Sequence, residues 1–322
     1  MKKRIGKTRI ICAAVLAFLC VLGACGKNGP APESTPAPAS SSAAETAGGS
    51  AAAGSEQSSA QNTLSTEPAA STGAVPESSE AVPVTAEPAP ESTVHVPASM
   101  DITLVSLNIK HGAEGLETIA AAIRELSPDI VGLQEVDVFC ERSGYADEVT
   151  ELARLAGYPY HAFARAIPLG SGEYGTALLS RFPIETFDVT PLDSGYGEPR
   201  ALGHAVIDAE GIRLDVFVTH LSFEDRDVRI GQLKTIAARL KECSRYILLG
   251  DLNTFVIEDV AYLDAAYCVN RPERRYQTFQ YRNSSPDNIA VSEGFTELSS
   301  GASDAKCSDH KLLWAVFRLE GE

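Results

Sequence analysis

From residue 101 onward, short apolar runs that end on a polar residue alternate with stretches patterned for helix. Ile102, Leu104 and Leu107 lie in an opening strand that ends at Asn108. Residues 116–126 read as a helix stopped near Pro128, because the ring and the missing N–H end a helix. Residues 129–133 form a short buried strand ending at Gln134-Glu135. Residues 146–156 suit a second helix closed by Gly157, and 176–180 another strand. Residues 205–208 and 213–219 read as a hairpin around Glu210-Gly211, with His220 at its exit. Residues 225–241 are the clearest helix, with Ile230, Leu233, Ala237 and Leu240 in one apolar stripe that belongs to a core. Residues 246–249 read as a buried strand that stops at Gly250 and delivers Asp251 and Asn253 at its tip. A last strand-like run, 312–317, follows Ser308-Asp309-His310.

The polar residues fall in a telling place. Asn108, Glu135, His220, Asp251, Asn253 and His310 all sit at the ends of apolar runs. Any one of them is an ordinary turn or capping residue. Strand ends of a packed sheet, however, can bring residues distant in sequence to one rim. Acid, amide and imidazole groups gathered there suggest the floor of an active site for metal-assisted hydrolysis.

The first third of the chain has a different character. Lys2, Lys3, Arg4, Lys7 and Arg9 precede an apolar stretch, 10–22, that is short for a spanning helix. Leu22-Gly23-Ala24-Cys25 resembles a bacterial lipobox. That resemblance implies a signal peptide over 1–25, lipid on Cys25, and anchoring at the extracytoplasmic face of the cell membrane; an ordinary signal peptide is the plainer reading. Residues 26–97 are dominated by Ala, Ser, Pro, Thr and Glu and lack the apolar residues needed to offset ordering entropy. They read as a disordered tether that spans about 50 Å as a flexible coil.

Residues 98–322 are enough for one domain with a sizeable core. Six of the chain's 27 Lys and Arg precede residue 28, and eight of its 43 acids lie in the tether, which leaves this domain near −14. Such a balance counts against charge-driven binding to nucleic acid without excluding a nuclease, because a bound divalent cation supplies local positive charge. Cys140, Cys243, Cys268 and Cys307 remain in the domain, with no zinc-type spacing. An exported compartment permits disulfides among them in three connectivities, and free buried thiols are the alternative.

Seven segments carry a family resemblance in their order along the chain. They are Ser106-Leu107-Asn108-Ile109-Lys110-His111-Gly112, Leu133-Gln134-Glu135-Val136-Asp137, and Glu173-Tyr174-Gly175-Thr176-Ala177-Leu178-Leu179-Ser180-Arg181. Thr219-His220-Leu221, Gly250-Asp251-Leu252-Asn253, Asp287-Asn288-Ile289 and Ser308-Asp309-His310 complete the set. Together they resemble the endonuclease/exonuclease/phosphatase superfamily over nearly all of 101–319. The resemblance implies an α/β (α+β) fold, a four-layer α/β/β/α sandwich of two mainly antiparallel sheets packed face to face with helices outside. It also implies hydrolysis of a phosphate ester by activated water with Mg²⁺, or Mn²⁺ in its place.

By the same resemblance, Glu135 is a metal ligand, with Asn108 and Asp309 completing the metal site. His310 is the general base and Asp287 its orienting partner; Asp251 positions the nucleophile. His220, Asn253 and Asn108 address the phosphate; Arg200 either grips it bidentately or is a plain surface arginine. Glu173 could pair with His220, and His111 could face the site. Arg271, Arg274, Arg275 and Tyr276 form a basic, aromatic cluster that is either a substrate contact or a solvated face. Where the family often shows Ile-Asp-Tyr-Ile, this chain has Pro286-Asp287-Asn288-Ile289.

The expected protein is therefore a lipid-anchored phosphoesterase and a monomer, with a small-molecule or lipid head-group phosphoester favoured as substrate. The alternatives are an extracellular nuclease of the same fold and a non-catalytic surface binding protein.

Overall fold

The structure, a computed structural model, describes residues 97–320. The expected signal peptide, Cys25 and the tether up to residue 96 lie outside the described residues. In chain order the strands are β1 (Ser99–Asn108), β2 (Ile130–Val138), β3 (Tyr160–Leu169), β4 (Gly172–Ser180), β5 (Ile184–Leu192) and β6 (Arg200–Ala209). There follow β7 (Ile212–His220), β8 (Tyr246–Asp251), β9 (Tyr267–Cys268), β10 (Asp287–Val291), β11 (Phe295–Ala302) and β12 (Leu313–Glu320). The helices are α1 (Leu116–Leu126), α2 (Glu148–Ala156) and α3 (Arg226–Leu240), and short 3₁₀ turns lie at Glu141–Ser143 and Ile257–Leu263.

Two six-stranded sheets result, ordered β11-β12-β1-β2-β4-β3 and β5-β6-β7-β8-β10-β9. Each holds one parallel pair, β1–β2 or β7–β8, among antiparallel neighbours. A parallel pair needs a crossover, and α1 and α3 supply the two.

Side-chain alternation along the strands builds four layers. Ile102 and Leu104 of β1 face Leu214 and Val216 of β7 and Ile247 and Leu249 of β8, which makes the core between the sheets. Val105 and Leu107 turn the other way, onto Ile119 and Ile123 of α1 and Leu152 of α2. On the second sheet, Phe217 and Leu248 face Leu233, Ile236 and Leu240 of α3. This is the four-layer sandwich that the resemblance implies. At Gly132 the sheets approach closely, since a Cβ there would stand 2.5 Å from Cβ of Leu249.

Local differences from the sequence reading have clear causes. The second helix starts at Glu148 rather than 146, because Asp147 is its N-cap and accepts from the Thr150 N–H. Asp225 caps α3 in the same way, accepting from the Asp227 and Val228 N–H groups. The buried face of α3 is Arg229, Gln232, Leu233, Ile236, Ala237 and Leu240, with Ile230 only half-buried at its margin. The strands absent from the sequence reading include β3, β5, β9 and β11, which are the four sheet edges. Cys140, Cys243, Cys268 and Cys307 are all free thiols. Among the described residues, no helix is long and apolar enough to cross a membrane.

Candidate active site

The face that buries the core also delivers the polar groups. Ile102 and Leu104 face the other sheet, and two and four residues further along the same face of β1 stand Ser106 and Asn108. Likewise His220 continues the row of Leu214, Val216 and Val218, and Asp251 continues Ile247 and Leu249. Asp287 heads the row of Ile289 and Val291. The carboxyl ends of the four parallel-paired strands thus meet at one end of the sandwich, the place where open α/β sheets take ligands.

Glu135 breaks the alternation. In a regular strand it would join Val131 and Leu133 on the helix-facing side. The pairing of β2 with β4 instead slips between Gln134 and Val136, so Glu135 is the extra residue of a bulge, at φ 55°. A bulge re-aims a side chain, and a non-glycine residue at positive φ is held there only by its surroundings. Here the Glu135 carbonyl accepts from the His111 N–H at 2.8 Å. Its carboxylate accepts from Asn108 Nδ2 at 2.8 Å, and the same amide donates to Asp251 Oδ2 at 3.1 Å. Burial pushes the Glu135 carboxyl up, against the Asn108 hydrogen bond and with help from the charge of Asp251.

His310 is fixed on both sides. Its Nδ1 lies 2.9 Å from Asp287 Oδ2, an acceptor only, so Nδ1 carries the proton. Its Nε2 then faces Asp251 Oδ2 at 3.7 Å. Phe279 packs on the ring at 4.9 Å between centroids. Burial alone would push the imidazole down, but Asp287, Asp251 and Asp309 together overcome it and raise it to about 10. Asp287 is wholly buried and its Oδ1 has no partner.

His220 has the opposite electrostatics. Burial, and next the Arg200 charge, push it down to about 3, so it is neutral. Arg200 is itself buried, with Nη1 3.1 Å from His220 Nδ1 and 2.8 Å from Glu198 Oε1. A guanidinium only donates, so His220 Nδ1 accepts and Nε2 carries the hydrogen. That Nε2 stands 3.1 Å from Asn253 Nδ2, a second donor, one hydrogen of which goes to the Leu221 carbonyl at 2.9 Å. Two donors therefore converge where a single acceptor would satisfy both. Asn253 is held for this at φ 49°, with its N–H on Asp251 Oδ1.

The remaining expected residues are placed differently. Asp309 sits half-buried at the rim, 3.4 Å from Lys110 Nζ, and reaches Glu135 and His310 through charge rather than hydrogen bonds. Arg200 is buried against His220 rather than lying on the surface. Glu173 does not pair with His220; it faces out and binds Arg165 at 2.8 Å. His111 contributes its backbone N–H. The Arg271–Tyr276 cluster is a surface ion-pair region, with Arg274 on Glu297 and Arg275 on Glu258.

Three contributors escaped the sequence reading. Ser308 Oγ donates to the Asn108 carbonyl at 2.7 Å and accepts the His310 N–H, tying two site segments separated by 200 positions. Asn288 exchanges hydrogen bonds with the Asn270 backbone, and Asn270 Nδ2 donates to the Asp287 carbonyl. That pair explains the Asn288 departure, because the amide anchors the loop behind Asp287. Tyr174 lies beside Arg200 and His220, and burial, then the Glu135 charge, push its hydroxyl well up. Its presence in a quoted motif was the available signal.

The donor chemistry suits a hard divalent cation, which prefers carboxylate and amide oxygens. Glu135 and Asp251 bring two carboxylates to one Asn108 amide. Asp251, Asp287 and His310 also form a compact donor group. The Nδ1 contact with Asp287 reads better as an imidazole held by its carboxylate, which leaves Glu135 and Asp251 as the pair that would hold a cation.

The Endonuclease/Exonuclease/phosphatase family model matches residues 105–310, and the chain belongs to that family. Its members are hydrolases that act on phosphoester bonds. Among solved structures, an endonuclease/exonuclease/phosphatase from Beutenbergia cavernae DSM 12333 superposes with a TM-score of 0.60 at 20% identity, covering 69% of this chain and 72% of that one. One from Bacteroides vulgatus gives 0.55 at 16% identity, over 69% and 100%. D. rerio TDP2, complexed with single strand DNA product, gives 0.55 at 18% identity, over 67% and 98%. At these identities the likeness concerns the fold. No curated protein matches the chain.

Proposed function

We propose that the chain is an exported, lipid-anchored, divalent-metal-dependent phosphoesterase that cleaves a small-molecule or lipid head-group phosphoester with water. The observation that carries this reading is the convergence of the Asp287–His310 pair and the donors of His220 and Asn253 on Asp251. Asp287 holds the imidazole so that Nε2 faces the space beside Asp251. A water there gives its proton to Nε2 as its oxygen bonds to phosphorus and the P–O bond to the leaving group breaks, and the departing alkoxide takes a proton from solvent. His220 Nε2–H and Asn253 Nδ2–H donate to a phosphoryl oxygen, whose negative charge grows in the transition state. Arg200 keeps His220 in the donating tautomer. A divalent cation held by Glu135 and Asp251 would polarise the phosphoryl oxygen and offset the carboxylate charge that raises His310.

Net acidity and the expected anchor near a bilayer favour a small or lipid substrate. A nuclease is the second reading, favoured by the fold likeness to a protein seen with a single strand DNA product. The test is hydrolysis by the full chain of DNA, sphingomyelin, inositol phosphates and nucleotides, with Mg²⁺ or Mn²⁺ and with EDTA added. Turnover that EDTA abolishes, and that Glu135→Ala removes while the circular dichroism spectrum persists, is expected. Absence of turnover on every substrate would overturn the proposal.

A further inference from the structure

A second group of metal-ligating side chains stands near the other end of β7, outside the proposed hydrolytic site. His204 of β6 and Asp215 of β7 form a cross-strand pair, with Nε2 and Oδ1 2.8 Å apart. Cys243, just after α3, brings its Sγ so that the imidazole, carboxylate and sulfur atoms all lie within 4.8 Å of one another. Asp215 is the fourth residue of the strand that ends in His220, so five residues of extended chain, roughly 16 Å, separate the two clusters.

We infer that His204, Asp215 and Cys243 form a binding site for a borderline-soft divalent cation such as Zn²⁺, distinct from the carboxylate site.

Three features argue for it. The donor set is one imidazole, one carboxylate and one sulfur, which suits Zn²⁺ and not the hard cation expected at Glu135. The spacing is close to that of a tetrahedral ion, whose N and O ligands stand about 3.4 Å apart when each bond is near 2.1 Å. The observed 2.8 Å needs a small opening, and the sulfur, within 4.8 Å of both other atoms, needs a closure of at most about 1 Å. The third feature is access. The three residues line an open cavity of roughly 630 Å³, which leaves room for water as a fourth ligand.

The surroundings are compatible. The His204 ring is fixed by stacking on Phe217, with centroids 4.2 Å apart and planes 9° apart. Arg213, Arg239 and Arg245 also line the cavity, but Arg213 turns to Glu185, Arg239 to Glu242, and Arg245 is engaged as well. The chemistry is a ligand exchange without redox. The Cys243 S–H bond breaks, its proton leaves to solvent, and the sulfur bonds to the cation. Burial, with the Asp215 charge, pushes the free thiol up to about 11, so the cation must drive that deprotonation. Once bound, it would tie β6 and β7 to the end of α3.

Cobalt separates this site from the hydrolytic one, because only this site offers sulfur. Full chain stripped with chelator is titrated with Co²⁺ and the thiolate-to-cobalt charge-transfer absorption is followed. The expected result is a band that saturates at one ion per chain, disappears in Cys243→Ser and weakens at least tenfold in affinity in His204→Gln. The band should persist in Glu135→Gln. Absence of the band in the native chain, its survival in Cys243→Ser, or its loss in Glu135→Gln would each overturn the inference. Circular dichroism on each variant confirms that the fold is kept.

Discussion

Raising the pH from about 5 to about 8 should weaken the fold through one buried acid, Glu148. This residue opens α2 and is 1% exposed. Its Oε2 accepts the Asp137 N–H at 2.8 Å, and its Oε1 lies 2.6 Å from where a Cβ on Gly112 would fall. It is thus wedged between the strand just past the Glu135 bulge and the turn that holds the Glu135 carbonyl. Burial raises its pKa to about 7, the Asp137 N–H opposes the rise, and the Asp137 charge adds to it. A carboxyl raised in the native state contributes fully below its unfolded pKa, where both states are protonated. Above that value the unfolded chain has already released the proton, so stability falls until pH passes the native pKa. At 1.36 kcal/mol per unit, the loss between about pH 5 and pH 8 comes to about 2–3 kcal/mol. Urea unfolding of the full chain at several pH values measures it. Glu148→Gln is the control, because it keeps the shape and an acceptor oxygen but does not titrate. The wild-type stability should fall by that much more than the variant's. Parallel pH profiles for the two proteins would refute the reasoning.

Two further outcomes follow from the geometry. Asp287→Asn should lower kcat on whatever phosphoester is turned over by about 100- to 10,000-fold, since the amide can present the wrong group to His310 Nδ1. The His310 ring, followed by NMR, should also titrate lower once that charge is gone; an unmoved titration would count against the pairing. Gly132→Ala should cost about 1–3 kcal/mol by forcing the sheets apart against Leu249, read as a lower Tm with secondary structure intact. An unchanged Tm would mean the contact is slack.

Much of this molecule can be read from the chain because its central strands are apolar on both faces. The runs around Val105, Val131, Val216 and Leu248 are flanked by a sheet on one side and a helix on the other. Their hydrophobicity is therefore continuous and stands out from the loops. Edge strands are another matter. Along β3, β5 and β11 most positions are exposed or half-buried, so their composition resembles that of loops and only pairing with a neighbour defines them.

The same division runs through the site. Sequence alone determined which polar residues end the apolar runs, and strand alternation places Asn108, His220 and Asp251 on the face that meets the other sheet. Tertiary structure decided the rest. A bulge turned Glu135 away from the helices, Arg200 was drawn inward to set the His220 tautomer, and Glu173 was sent outward to Arg165. The physical reason is range. Periodicity is a property of neighbours along the chain, whereas a bulge, a buried ion pair or a hydroxyl bridging positions 108 and 308 depends on partners that meet only when the two sheets close.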